Sequence, residues 1–307
     1  MFYFKWIFRG LSHLARNSWI FLKFLLVYPL ILLILLYISS LIIFLSNRLK
    51  FIFKDADAYA VYLTSLIWTL VAIVYNGHSI VGLENLPVNG PGLIIFYHGQ
   101  LPLDIIYAIS RVYLVKKRLI ALVADRFFTA LPGFHTFKSV LNVSNGDVNS
   151  CTECLLNGNL LAISPGGVRE AQFASCTDYN IIWANRLGYA KVAVNSDCPV
   201  YLMFTTNSRQ VTYCFPFAHN LFGWLYERTR LPLRPIFGIF PVKMTTYISE
   251  PIYTCGLSAS EFDDKVRFRM QQMIEAHQKL PASIISALLD RLPFWIMSHS
   301  QSKSHGQ

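Results

Sequence analysis

A run of 22 uncharged residues near the start of the chain constrains its fold more than any other feature. The run extends from Phe24 to Leu45 and reads FLLVYPLILLILLYISSLIIFL. About 20 apolar residues span the hydrocarbon core of a bilayer as a helix, so this segment predicts a transmembrane helix. It is longer than the apolar part of a secretory signal, and no small-residue cleavage site follows it. We therefore expect it to stay in the chain as a membrane anchor.

A second uncharged stretch, Ala58 to Tyr75, makes a weaker candidate for a membrane helix. It has 18 residues and includes Thr64, Ser65 and Thr69. The stretch could span the bilayer, re-enter it, or form a core helix. We interpret residues 24–75 together as an anchor of one or two transmembrane helices.

The charges around the anchor predict its orientation. Residues 1–23 form a basic segment with four Lys or Arg and no acidic residue, and the connector after Leu45 holds three. This excess favours a cytosolic N-terminus. If both apolar stretches span, or if both only dip into the bilayer, the rest of the chain lies on the same side.

Composition agrees with a membrane protein. Hydrophobic residues make up 54% of the chain and charged residues 14%, whereas a typical soluble domain has about 25% charged residues. The formal net charge of +10 suits anionic lipid headgroups, nucleic acid or a polyanion such as coenzyme A. Charge alone does not choose among these partners.

Six cysteines are spread thinly along the chain, unlike the dense frameworks of small secreted domains. We interpret them as reduced thiols that face the cytosol. Cys151 and Cys154 form a C-x-x-C pair, but no second pair and no histidine pair at zinc spacing accompanies it. We therefore predict no metal site.

Beyond Asn76, short apolar runs alternate with helical stretches, which predicts an α/β domain with a mixed or mostly parallel sheet flanked by helices. The domain is expected over residues 76–297, followed by a short polar tail, 298–307, without fixed structure. A last helix is marked by a capping box of Ser258 and Glu261. The predicted strands are Leu93–Tyr97, Leu119–Ala124, Leu160–Ile163, Val200–Phe204 and Met244–Ile248.

Two residues at the end of the first predicted strand suggest acid–base chemistry. In LIIFYHGQLPLD, His98 follows the strand and Asp104 comes six positions later. Both cannot lie on one face of a helix, since six residues turn it by about 240° and Pro102 disrupts it. They can meet only if His98 lies at the strand end and Asp104 near the start of the next helix. There the carboxylate could accept a hydrogen bond from one imidazole nitrogen, so that the other takes a proton.

A second cluster, AISPGGVREA, follows the strand that ends at Ile163. Gly166 and Gly167 allow close backbone approach to a ligand, and Arg169 offers a planar fork of donors for carboxylate or phosphate. Glu170 could pair with Arg169 or with a neighbouring base. Taken alone, such a Pro-Gly-Gly run is more often simply a turn, and an isolated histidine is more often structural.

Between Phe222 and Phe240 aromatic and arginine residues are mixed. Such a stretch suits a membrane interface, where rings lie at headgroup depth and cations meet lipid phosphate. A surface that stacks nucleic-acid bases has similar ingredients. Because an anchor is present, we favour the membrane and predict no nucleic-acid partner.

The two clusters, in this order after an anchor, resemble the glycerolipid and lysophospholipid acyltransferase superfamily. Its first motif is His, four residues and Asp, and its third is Phe-Pro-Glu-Gly-Thr-Arg. Within that superfamily, the Tyr-His-Gly and Pro-Gly-Gly-Val-Arg-Glu versions resemble the branch with transmembrane protein 68 and the diacylglycerol acyltransferase-like enzymes. ADRFFTALPGF resembles the second motif, and Cys198-Pro199-Val200 the fourth. The resemblance covers about 83–292.

The resemblance implies a glycerolipid acyltransferase fold and transfer of an acyl group from acyl-CoA, as co-substrate, to a glycerolipid hydroxyl. It implies an endoplasmic reticulum membrane protein whose domain faces the cytosol and needs no cofactor. His98 would be the general base and Asp104 would stabilise its imidazolium, while backbone amides near Gly166 and Gly167 could bind the oxyanion. The implied substrate-binding residues are Gly99, Arg126, Phe134, Pro165, Gly166, Gly167, Arg169 and Glu170.

Departures from the family pattern bear on the acceptor. Five residues separate His98 from Asp104 instead of four, and Gly166 and Val168 replace the usual Glu and Thr. This favours a neutral acceptor, mono- or diacylglycerol, over a lysophospholipid. An esterase or transacylase remains an alternative, although the chain lacks the Gly-x-Ser-x-Gly elbow of serine hydrolases. The other alternative is a catalytically silent lipid-binding protein.

Overall fold

The computed structural model describes residues 27, 29–50, 52–124, 146–213 and 219–292. The basic segment 1–23 and the tail 298–307 lie outside the described residues. So do Arg126 and Phe134 of the predicted site.

The described chain forms an α/β domain around one six-stranded sheet, in the order β1-β6-β5-β2-β4-β3. Strands β5, β2, β4 and β3 are parallel, β6 runs antiparallel to β5, and β1 is parallel to β6. This confirms the predicted mostly parallel sheet. The strands are β1 Ser79–Val81, β2 Gly92–Phe96, β3 Ile120–Leu122, β4 Leu160–Ile163, β5 Val200–Thr205 and β6 Thr245–Ile248.

Helices cover both faces of the sheet. Helix α3 packs on one face, and α4, α6 and α8 pack on the other. The helices are α1 Pro29–Leu49, α2 Ala56–Asn76, α3 Leu103–Lys116, α4 Val148–Leu156, α5 Gly167–Phe173, α6 Gly188–Ser196, α7 His219–Thr229, α8 Ala259–His277 and α9 Ile284–Leu289. The predicted capping box is present at the start of α8, where Ser258 and Glu261 bond each other's backbone N–H groups.

Helices α1 and α2 form an antiparallel hairpin that carries the apolar surface predicted for an anchor. The Trp68 indole donates to Ser39 Oγ at 3.0 Å, and the Ser46 hydroxyl donates to Asp57 Oδ1 at 3.0 Å. Both helices are long and apolar enough to cross a membrane. Large apolar side chains are exposed along them, which indicates contact with lipid. Examples are Leu30, Ile34, Leu41, Phe44, Tyr59, Leu63, Leu70 and Val74.

The hairpin is docked on the domain, because α2 packs along α3. The rings of Trp68 and Tyr107 lie 6.5 Å apart, and the Lys117 ammonium lies 4.8 Å from the Tyr62 ring centroid. Arg291, just after α9, donates to the carbonyl oxygens of Val74 and Tyr75 in the last turn of α2. Cations at a helix C-terminus satisfy its free carbonyls. The helix that carries Asp104 is therefore in direct contact with the apolar hairpin.

The cysteines only partly match the expectation of reduced thiols. Cys151, Cys154, Cys198 and Cys255 are free, but Cys176 is disulfide-bonded. Pairing depends on distance in the fold, which spacing along the chain does not reveal. Within the described ranges, no group of three or more His, Cys, Asp or Glu side chains could hold a metal ion.

Candidate active site

The candidate site lies at the edge of the sheet where three parallel strands end. Strand β2 is central, with β4 on one side and β5 on the other. His98 follows β2, the Ser164–Gly167 turn follows β4, and Arg209 follows β5. Ligands of open α/β sheets bind outside the carboxyl ends of the strands. The sheet therefore brings three sequence-distant segments to the position where a ligand is expected.

The backbone of His98 is held from both sides by charged side chains. Its N–H donates to Glu170 Oε2 at 3.0 Å, and its carbonyl oxygen accepts from Arg209 Nη1 at 3.3 Å. Glu170 comes from the segment after β4 and Arg209 from the segment after β5. The backbone N–H and the carbonyl of His98 are thus each fixed by a residue that follows a neighbouring strand.

Glu170 is fully buried and takes a position that the sequence did not predict. Its other carboxylate oxygen, Oε1, accepts from the Ile182 N–H at 3.1 Å. Burial raises the pKa of Glu170 to about 7, although its hydrogen bonds to His98 and Ile182 and the charge of Arg209 lower it. An added Cβ at Gly166 would lie 2.4 Å from Glu170 Cβ. Glycine at 166 therefore leaves the space in which Glu170 turns inward.

Arg169, in contrast, points outward, so the pairing of Arg169 with Glu170 that we considered is not formed. Its guanidinium lies 3.6 Å from the Glu227 carboxylate on α7, and both side chains are about 45% exposed. Exposed ion pairs contribute only about 0–1 kcal/mol to stability. Arg169 therefore keeps a solvent-accessible fork of donors beside the site.

Arg209 is the functional candidate that sequence reasoning missed. It is fully buried and, besides His98, donates to the carbonyl oxygens of Glu170, Ala171 and Ala174 at 2.9–3.1 Å. These carbonyls end α5, where a cation is favourable. A lone arginine in TTNSRQ is more often exposed; the signal in the sequence was its position four residues after the continuous apolar run of β5.

The imidazole of His98 is set up as a base. Its Nδ1 lies 2.6 Å from the Gly99 carbonyl oxygen. A carbonyl can only accept, so Nδ1 carries the proton and Nε2 keeps its lone pair. Burial lowers the pKa of His98; the Gly99 bond partly offsets this, while the charge of Arg209 lowers it further. The ring is therefore neutral at physiological pH.

Asp104 lies in the first turn of α3, as expected, but is not hydrogen-bonded to His98 in this conformation. Its carboxylate is almost fully buried, and within the described part of the chain neither oxygen has a partner in hydrogen-bond geometry. Burial raises its pKa to about 7, while the N–H groups of Ile105, Asp104 and Gly99 are near enough to lower it. Gly99 thus connects the pair, since its N–H approaches Asp104 and its carbonyl holds His98.

Glycine is favoured at position 99 for a steric reason. An added Cβ would lie 3.0 Å from Ser208 Cβ and 3.2 Å from the Ser208 carbonyl oxygen, which is tighter than side chains normally pack. The segment after β5 therefore closes directly over the His98–Gly99 peptide.

The Pro-Gly-Gly turn is tied to its own surroundings. The Gly167 N–H donates to Ser164 Oγ at 3.3 Å, and Arg186 Nη1 donates to the carbonyls of Pro165 and Gly166 at 3.2 and 3.3 Å. The Gly167 amide is therefore engaged within the turn instead of free for an oxyanion. The link from this turn to His98 runs through Glu170.

The chain is similar to several known proteins. No family model matches the chain. A Bos taurus protein named "DGAT1/2-independent enzyme synthesizing storage lipids" is 38% identical over 296 residues, 92% of this chain and 88% of the relative. The Homo sapiens protein of that name is 39% identical, covering 86% and 84%. The Gallus gallus protein is 43% identical, covering 73% and 67%.

A solved structure shares the fold. It is the 1-acyl-sn-glycerophosphate (LPA) acyltransferase, PlsC, of Thermotoga maritima, with a TM-score of 0.53 and 16% identity. The alignment covers 78% of this chain and 96% of that one.

The buried carboxyl of Asp104 predicts a pH-dependent cost to stability. Its pKa is raised from 3.8 to about 7, so the folded state holds the proton more tightly than the unfolded state. The cost is absent below pH 3.8 and complete above pH 7, where it reaches about 4 kcal/mol by the usual conversion. We expect Asp104→Asn to unfold at the same temperature as wild type near pH 4, and at a higher temperature than wild type at pH 8. Thermal unfolding in detergent micelles measures this.

The matched control is Asp264→Asn, since Asp264 is exposed on α8. This variant should follow the wild type at both pH values. An Asp104→Asn protein that is no more stable than wild type at pH 8 would show that other interactions offset the cost of burying the ionised Asp104 carboxylate.

Proposed function

This chain belongs to the family of the DGAT1/2-independent enzymes synthesizing storage lipids, and we propose that it transfers a fatty acyl group from acyl-CoA to a glycerolipid hydroxyl. The acceptor we propose is mono- or diacylglycerol, so that the product is a storage lipid such as triacylglycerol. The observation that carries the proposal is the contact of His98 Nδ1 with the Gly99 carbonyl oxygen at 2.6 Å, which leaves Nε2 as the base.

In the proposed reaction, His98 Nε2 removes the proton from the acceptor hydroxyl while that oxygen attacks the thioester carbonyl of the donor. The tetrahedral intermediate collapses, the carbon–sulfur bond breaks, and the thiolate of coenzyme A takes the proton back from His98. The imidazolium that forms between these steps keeps its Nδ1–H bond to Gly99. The Asp104 carboxylate stabilises it electrostatically through the low-dielectric surroundings.

Glu170 and Arg209 act as positioning residues in this proposal. They fix the peptide of His98 and do not need to contact substrate. Because Glu170 is buried and occupied by two backbone N–H groups, it is not free to bind a headgroup. We assign contact with the polar part of a substrate to the exposed Arg169 fork instead.

A neutral acceptor is favoured by the same geometry. Gly166 stands where lysophosphatidate enzymes have Glu, and it gives the space into which Glu170 folds. Transfer to a lysophospholipid is the second candidate, since Arg169 is exposed and could meet a phosphate. A panel of labelled acceptors in micelles, with radiolabelled acyl-CoA, separates the two.

For Arg126 and Phe134 a substrate-binding role is proposed from the family resemblance alone. We also propose that the protein is held in the endoplasmic reticulum membrane with the domain facing the cytosol, where acyl-CoA is available. Two apolar helices support membrane association.

The first variant to test is His98→Ala. We expect acyl transfer to fall by about 10²- to 10⁴-fold, the usual contribution of a general base. Membrane association and thermal stability should be unchanged, because the hydrogen bond of the imidazole ring goes only to the adjacent residue, Gly99. The matched control is His277→Ala at the end of α8, which removes an exposed imidazole that stacks on Tyr247. Activity of His98→Ala within threefold of wild type would overturn the assignment.

The positioning role predicts a separate kinetic signature for Glu170→Gln and Arg209→Lys. The amide can accept from only one of the two N–H groups, and lysine cannot reach four carbonyls as the guanidinium does. We expect kcat to fall by about 10- to 100-fold, in line with displacement of a catalytic group by an ångström or less, with KM nearly unchanged.

Glu153→Gln, at an exposed position of α4, serves as the control for that experiment. Kinetic constants are taken per folded molecule, from the fraction that elutes as monodisperse protein. If both variants lose only folded protein and keep wild-type kcat, the two residues are structural and do not position His98.

A further inference from the structure

Helix α7 and the segment after it expose an apolar surface that the proposed reaction does not use. Six large side chains along it are 38–54% exposed: Leu221, Trp224, Leu231, Leu233, Ile236 and Phe237. We refer to these residues, with Arg228 and Arg230, as the aromatic–basic surface. Exposure of this many large apolar side chains along one segment is unfavourable in water and marks a site of interaction.

Arginines lie among the apolar side chains. The Arg228 guanidinium stacks 4.3 Å from the Trp224 ring centroid, and that of Arg230 lies 5.7 Å from the Tyr226 centroid. Arg230 also pairs with Glu227 at 3.0 Å, and Glu227 in turn reaches Arg169. Exposed arginine stacked on an aromatic ring suits the headgroup layer, where the ring lies at the interface and the guanidinium meets phosphate.

The inner side of α7 is packed on the helix that positions His98. The rings of Tyr226 and Phe173 lie 5.5 Å apart, and Arg234 donates to the Gln172 carbonyl. Phe173 and Gln172 belong to α5, which also carries Glu170. The aromatic–basic surface is therefore the outer face of a layer that packs on α5. Through Glu170, α5 in turn holds the backbone of His98.

The surface is also continuous with the apolar hairpin. The Phe237 carbonyl accepts from the Tyr213 N–H at 2.8 Å. Two residues on, Ile239 is buried in a cluster with Leu32 of α1 and Ala72 of α2. Two residues span at most about 7 Å of chain. Phe237 therefore lies within about 7 Å of a residue that packs on this end of the hairpin, close enough for one bilayer surface to meet both.

We propose that the aromatic–basic surface docks on the headgroup layer of a bilayer containing anionic phospholipid, as a contact separate from the hairpin. Docking there would place α5 and the edge of the sheet that holds His98 against the lipid from which both substrates come. The proposal deepens the proposed function, on which it rests for the identity of the substrates. The docking itself is testable without any acyl transfer.

The first test measures the depth of Trp224 in a membrane. The full-length protein is reconstituted in phosphatidylcholine vesicles with brominated acyl chains, with and without phosphatidylserine. The difference in tryptophan fluorescence between wild type and Trp224→Phe isolates the signal of Trp224. We expect this signal to be quenched when phosphatidylserine is present, and less so in the Arg228→Gln/Arg230→Gln double variant. Absence of quenching in both lipid mixtures, or quenching that a single-stranded oligonucleotide abolishes, would overturn the proposal.

The second test follows acyl transfer as the mole fraction of phosphatidylserine rises. Wild type should gain rate, and the double variant should gain far less, because each of its two lost cations contributes about 1 kcal/mol at such a surface, or about 30-fold in binding together. In pure phosphatidylcholine both should react equally. The matched controls are Phe268→Ala and Arg269→Gln, which alter an exposed aromatic and an exposed arginine on α8, and they should respond like wild type.

The two tests separate the two proposals. If no acyl transfer is found but Trp224 is quenched, the proposed function fails and the docking stands. If acyl transfer proceeds while Trp224 stays unquenched and the double variant responds like wild type, the docking fails alone.

Discussion

The site depends on two hydrogen bonds that fix the backbone of His98: its N–H donates to Glu170, and its carbonyl accepts from Arg209. They can form only because β4 and β5 lie on either side of β2 and run parallel to it. Neighbouring parallel strands deliver the residues that follow them to the same edge. The order of the strands therefore determines the position of His98. That position also depends on Glu170 and Arg209, two ionisable groups that are buried at the same edge.

Those buried groups carry a thermodynamic cost that the rest of the fold must offset. Burial raises the pKa of both Asp104 and Glu170 to about 7, and Arg209 is as fully removed from solvent. Removing charge from water is unfavourable unless hydrogen bonds replace the lost hydration. Glu170 and Arg209 have such bonds, whereas Asp104 has none within the described residues. A cost of this kind is typical of catalytic residues, and replacing such a residue with a neutral one often makes the protein more stable.

The sequence predicted what depends on local pattern. Continuous apolar runs located β2, β4 and β5, the capping box located α8, and the strand end located His98. Strand β1 was missed because it has only three residues and an exposed flank, and it exists through its pairing with β6. Arg209 and the inward turn of Glu170 were missed because their roles depend on contacts between segments far apart in the chain. Asp104 was expected at one imidazole nitrogen, but the Gly99 carbonyl lies at Nδ1 and Asp104 bonds neither nitrogen, which depends on how the backbone folds after β2.

In the proposed reaction His98 is a neutral base with its proton on Nδ1 and its lone pair on Nε2. Nitrogen NMR of histidine-labelled protein in micelles near pH 7.5 tests it most directly, with the His98 resonances assigned by their loss in His98→Gln. We expect a pyrrole-type shift for Nδ1 and a pyridine-type shift for Nε2. A proton on Nε2, or an imidazolium at that pH, would contradict it.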